Sequence, residues 1–217
     1  MSELDELTDA AAVAMGGTAA DARAAIDALP WLDESIAQDR EAGRFRTWGR
    51  STIVDENTAR HLVPRALFDE LHARAGRHAV WPIGDAGLLH CYGYLLSLEP
   101  TPYGLKRDRW IHGALAEACG LSSDAFTPWR GGETLLARAT TAASALMRSP
   151  AATASHLLDG REARVSFSSA EGPAALAYAV ASTPGAAPLL VTTFPVADAS
   201  TQLADFIADP RLRWNAA

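Results

Sequence analysis

The last third of the chain limits the fold most, because it carries three β-patterned runs divided by two Gly/Pro breaks. Val165 and Phe167 alternate with Arg164, Ser166 and Ser168; Leu176, Tyr178 and Val180 alternate with Ala175, Ala177, Ala179 and Ala181; residues 189–196 are rich in β-branched side chains. Gly172-Pro173 and Pro184-Gly185 separate the runs at spacings suited to an antiparallel meander. One face of the middle run is entirely alanine. No side chain stands in the way there, so a helix is expected to pack closely on that face.

The rest of the chain reads mainly as helices with explicit punctuation. Ser2 caps a first helix carrying Leu4, Leu7 and Ala11, which Gly16-Gly17 ends; Thr18 and Asp21 form a capping box for a second, and Pro30 breaks it. A third spans 31–42 and stops at Gly43. Residues 44–54 alternate as a strand with Arg44, Arg46, Trp48 and Arg50 on one face. A helix from Pro64 buries Leu67, Phe68 and Leu71. Residues 87–98, apolar and aromatic, read as a buried strand, which puts His90, Tyr92 and Tyr94 on one face and Cys91 on the other. Residues 105–119 fit a helix better than a hairpin strand. Residues 133–148 form a further helix, a short one follows Pro150 as far as Asp159-Gly160, and Ser200 caps a last one that ends at Pro210.

Helices first, hairpin-compatible strands later and no regular βαβ alternation predict an α+β fold, with helices on one face of a mostly antiparallel sheet. We expect one domain over residues 1–217, with 1–42 a helical N-terminal arm on a core of 43–217. No GxGxxG, GxxxxGK[ST] or GxSxG occurs, so dinucleotide, P-loop and α/β-hydrolase chemistries have no local support.

Composition narrows the functional classes. A net charge of −7 opposes long-range attraction to nucleic acid or an anionic membrane. The excess acid lies in the first sixty residues, which leaves room for a local basic site elsewhere. Two cysteines are too few for a disulfide framework, the acidic N-terminus lacks a signal-peptide pattern, and no apolar run is long enough to span a bilayer. A cytoplasmic protein is expected. Histidine spacing offers no HxH, HxxxH or HExxH, so neither metal nor cofactor is expected.

Lysine occurs once, at Lys106, against eighteen arginines. It falls in the stretch with the most reactive side chains: residues 81–112 hold three of the four tyrosines, two of the six histidines and one cysteine. Within it we expect His90, Lys106 and Tyr92 to be catalytic, and Tyr94, Tyr103, Arg107, Arg109, Trp110 and His112 to contact substrate. If a helix starts near Leu105, then Lys106, Arg107 and Arg109 crowd its first turn, where the helix dipole opposes cations unless an anion docks. Each position also has a bland account: a core histidine bonded to a carbonyl, or a basic patch paired with Asp108 or with the acidic N-terminal helices.

These residues suggest a metal-independent hydrolase, lyase or isomerase acting on an anionic metabolite by general acid/base catalysis. A non-catalytic protein that binds a ligand or partner is the alternative, and an RNase-like domain is a third. A homodimer is left open.

Overall fold

The structure is a computed structural model, and it describes residues 2–210 and 212. The chain-order elements are helices α1 (Glu3–Ala14), α2 (Ala19–Asp27) and α3 (Pro30–Glu41), strand β1 (Arg50–Thr52), helix α4 (Arg65–Arg74), strand β2 (Ile83–Asp85), helices α5 (Ala86–Cys91), α6 (Asp108–Ile111), α7 (Ala114–Ala118) and α8 (Leu135–Arg148), strands β3 (Ala152–Leu158), β4 (Arg161–Phe167), β5 (Ala174–Ala181) and β6 (Leu189–Val196), and helix α9 (Ala199–Ala208). Short 3₁₀ helices lie at Arg44–Thr47 and Gly93–Leu96. The fold is α+β with antiparallel sheets, as the patterning implies.

Capping chemistry places the N-terminal helices where the sequence puts them. Ser2 with Asp5, and Thr18 with Asp21, form reciprocal capping boxes on α1 and α2, and Gly43 takes the left-handed conformation (φ 67°) just after α3. Their apolar stripes, including Leu7, Ile26, Leu32 and Ile36, enter the same buried cluster as the alanine face of β5.

The meander has four strands, in the order β3-β4-β5-β6. The expected short helix after Pro150 is instead β3, paired with β4 from Ala152↔Phe167 to Leu158↔Arg161 through the Asp159-Gly160 turn. The β-alternation of the next run extends the sheet by one strand, and local helix pattern gives way to cross-strand pairing. Ala175, Ala177 and Ala179 are buried against the helical body, where α7 and α8 lie on β5 and β6. Val165, Phe167, Leu176 and Tyr178 face the other way into a smaller cluster with Phe206 of α9.

Three further expectations change. Residues 87–98 are not a strand: α5 is followed by a 3₁₀ turn, and all of residues 86–97 are buried. A run buried on every side has no amphipathic period to separate helix from strand, and the deciding signal is Asp85, whose carboxylate caps α5 by accepting from Leu88 N at 3.1 Å. Gly87 lets α5 approach the core, since a Cβ there would lie 2.8 Å from Trp48 and 2.9 Å from Leu136. The cationic strand at 44–54 shortens to β1, paired with β2, because Arg44–Thr47 coils into the 3₁₀ helix and Arg44 turns to Asp39. The helix at 105–119 breaks into α6 and α7 at Gly113 (φ 80°).

Candidate functional site

Helix α5 carries His90, and the turn after it carries Tyr94. Four residues apart, their rings meet at a tilt of 44° with centroids 4.9 Å apart. His90 is buried, and its Nε2 lies 2.8 Å from Ser51 Oγ on β1. Its other ring nitrogen, Nδ1, is buried without a hydrogen-bond partner among the described residues. Burial, then the charges of Arg109 and Lys106, hold the imidazole well below its ordinary pKa, so His90 is neutral near pH 7. A neutral imidazole carries one N–H. Whichever way the proton sits, Nδ1 remains as an unused acceptor or an unused donor.

The loop before α6 supplies Lys106, and α6 itself carries Arg109. Lys106 Nζ lies 2.9 Å from the buried Asp55 carboxylate. Burial would raise the Asp55 pKa, but Lys106 together with the amides of Asn57 and Thr58 outweighs it and leaves the carboxylate below its usual range. Burial and the neighbouring Arg109 lower the Lys106 pKa. Arg109 is half-buried and donates to Thr192 Oγ1 (3.3 Å), to Thr193 O (3.0 Å) and to Lys106 O (3.2 Å). Its Cζ lies 5.9 Å from the rings of Tyr94, Trp110 and Phe194. Among the described residues Arg109 has no carboxylate partner, and burial lowers its pKa. The cluster thus sets two cations against the Asp55 carboxylate, with Glu56 adding a weaker charge effect on Lys106.

The nine expected site residues divide. His90, Tyr94, Lys106 and Arg109 come together, and Trp110 supports them by donating from Nε1 to His90 O at 2.8 Å. Tyr92 points elsewhere: its hydroxyl donates to Asp39, which also accepts from Thr134 Oγ1 (2.6 Å) and pairs with Arg44 (2.9 Å). A helical turn, rather than strand alternation, separates it from His90. Arg107 is buried against α1, where Nη2 reaches Thr8 Oγ1 at 3.4 Å. Tyr103 is exposed, as is His112, which stands 3.9 Å from Asp108.

The presumed first turn of cations does not exist, since α6 is four residues long and begins after Arg107. Asp108 does not neutralise the loop; its Oδ2 accepts from Leu105 N at 3.2 Å. Nor do the acidic N-terminal helices, since the partner of Lys106 is Asp55. Ser51, Asp55 and Thr192 went unnoticed in the sequence. A lone lysine that needs a counter-charge was the available hint to Asp55, and nothing local marks the other two.

Trp31 Nε1, Arg107 Nη1 and His156 Nε2 are also buried without a hydrogen-bond partner among the described residues, whereas the cluster around His72 is closed. His72 uses Nδ1 on Phe68 O (2.7 Å) and Nε2 on Asp85 N (3.1 Å), and Arg77 pairs with Asp85 at 3.2 Å. Burial raises the Asp85 pKa to about 6. Burial also raises both thiols, Cys91 well above its ordinary value and Cys119 to about 11, so neither is an activated nucleophile. Among the described residues, no group of three or more His, Cys, Asp or Glu is placed to hold a metal ion and no helix is long and apolar enough to cross a membrane.

Comparison of the chain with protein-family models, with curated proteins and with solved structures finds no match.

Proposed function

We propose that the protein binds an anionic small molecule on Arg109 and Lys106 and acts on it by general acid/base catalysis through His90. The observation that carries this reading is Arg109, a partly desolvated guanidinium with no carboxylate beside it among the described residues. Burying an uncompensated charge is costly, and an anionic ligand supplies the missing partner. Neutral His90 then offers Nδ1 as the working nitrogen. With Nε2–H donated to Ser51, Nδ1 takes a proton; with the Ser51 hydroxyl donating to Nε2, Nδ1–H gives one. Tyr94, its hydroxyl pushed up to about 12 mainly by burial, stays protonated and shapes the wall beside the imidazole. The reaction class is a hydrolase, lyase or isomerase, and these steps route nothing through a metal or cofactor.

Non-catalytic ligand binding is the second reading, and the burial of both Ser51 and His90 favours it. An RNase-like activity is opposed by the net charge of −7.

A thermal-shift screen of metabolite carboxylates and phosphate esters, with product analysis on each stabilising compound, tests the proposal. The expected result is an anion that stabilises the wild type but not Arg109→Gln, and is turned over by the wild type but only bound by His90→Gln. Binding with turnover indifferent to His90→Gln would remove His90 from the chemistry. Stabilisation by no anion would overturn the reading altogether.

A further inference from the structure

The four-stranded sheet ends differently on its two sides. Beyond β6 the chain lays Trp48 and Gly49 alongside, with a parallel bridge from Trp48 to Leu190 and Gly49 N donating to Leu190 O at 2.7 Å, and β6 itself carries Pro195. At the opposite edge β3 pairs with β4 on one side, and among the described residues no backbone group bonds to its other side. An edge strand presents a row of N–H and C=O groups able to template another strand, and proteins ordinarily blunt such edges with charge, proline or a bulge. β3 has none of the three. Its sequence, ATASHLL, holds no Asp, Glu, Lys, Arg or Pro, and its pairing with β4 runs in unbroken register from Ala152↔Phe167 to Leu158↔Arg161.

The helical layer leaves this strand uncovered as well. Cross-strand pairing puts Thr153, Ser155 and Leu157 on the face shared with Ala177 and Ala179, where α8 packs on β4, β5 and β6. All three are nevertheless exposed, Leu157 by 63%.

We propose that β3 docks a second copy of this chain, the two β3 strands pairing antiparallel across a two-fold axis to make one continuous sheet. Charge complementarity argues for this occupant. In an antiparallel pair the start of one β3 lies beside the end of the other. Arg148 stands just before the start, at the end of α8, and Asp159 stands just after the end, in the turn to β4; both are exposed, and neither is ion-paired among the described residues. The two-fold axis brings these opposite charges together at both ends of the interface. Parallel pairing would instead set Arg148 beside Arg148 and Asp159 beside Asp159. The uncharged strand between them supplies the backbone hydrogen bonds.

Sedimentation equilibrium of the full chain over a wide range of concentrations tests this, with hydrogen exchange of the β3 amides as the local readout. A reversible dimer is expected, in which amides within residues 152–158 exchange more slowly than in the monomer. Ser155→Lys at the middle of β3 sets two ammonium groups near the axis and is expected to weaken the dimer roughly tenfold or more. Arg148→Glu, outside the strand, is the second variant should the first misfold by circular dichroism; it sets like charges beside Asp159 and is expected to weaken the dimer by a smaller factor. A chain that stays monomeric at every concentration overturns the proposal. A dimer whose β3 amides exchange as fast as the monomer's, or one that neither folded variant weakens, places the contact elsewhere and overturns it as well.

Discussion

Tyr92 and His90 sit two residues apart and belong to opposite kinds of polar environment. Around Tyr92 everything is closed: Asp39 accepts from Tyr92 and Thr134, pairs with Arg44, and so ties α3, α5 and α8 together. Around His90 and Arg109 the arrangement is incomplete, with an unpartnered Nδ1 and a cation lacking a carboxylate. A buried polar network that satisfies itself specifies structure, whereas one with a missing member points to something the chain does not contain. This contrast, more than the identity of any one residue, separates scaffold from site.

The largest effect expected is on the closed side. Asp39→Ala strands the buried Tyr92 and Thr134 hydroxyls and is expected to cost about 3 kcal/mol or more, read from urea unfolding; a loss under about 1 kcal/mol would break the contrast.

Asp85 gives a pH-dependent effect of similar scale. Its pKa is raised to about 6 against an ordinary 3.8, so the native state holds the proton more tightly and this group's contribution is present below pH 3.8 and lost as pH rises through 6. Asp85→Asn keeps an amide able to cap α5 and lacks that loss. Its stability relative to the wild type is therefore expected to improve by up to about 3 kcal/mol between pH 4 and pH 7, measured by denaturation at each pH; a flat difference would remove Asp85 as a titrating group. His72 and His90, both lowered, act with the opposite sign, weakening the fold as pH falls below the free-histidine value of 6.5.

On the open side the effects on stability are smaller. Arg109→Met loses hydrogen bonds to Thr192 and Thr193 but also removes a half-buried charge, so a net change within about 1 kcal/mol is expected alongside loss of anion binding. Equal destabilisation by Arg109→Met and Asp39→Ala would show that Arg109 is scaffold as well. The smallest effect sharpens the role of the lone lysine. Lys106→Arg keeps the charge facing Asp55 and is expected to leave the melting temperature nearly unchanged while weakening anion binding, because a planar fork on a different stem does not reproduce a compact ammonium. Unaltered binding would make the rarity of lysine irrelevant to function.

Much of the fold was legible because its signals are local. The capping boxes at Ser2 and Thr18, the breaks at Pro30 and Gly43, and the alanine face of β5 each act within a few residues of themselves. Legibility failed where burial removed the periodicity, at residues 86–96, and where pairing with a distant strand overrode local pattern, at residues 152–158. In the candidate site His90, Tyr94, Lys106 and Arg109 were readable as reactive side chains crowded into one stretch. Tyr92 was misdirected by the strand assumption, since alternation sends residues 90 and 92 to the same side and a helical turn does not.

The sequence by itself determined the class of fold, the close packing of helices on β5 and the crowding of reactive side chains into one segment, because each depends on residue type and short-range spacing. Tertiary structure alone decided which of those side chains meet. Lys106 faces Asp55 and His90 faces Ser51 only once β1 is laid beside α5, and Arg109 lacks a carboxylate partner among the described residues only once their carboxylates have been placed elsewhere. Charge compensation in a folded chain is a property of three-dimensional neighbours, and sequence distance carries almost no information about it.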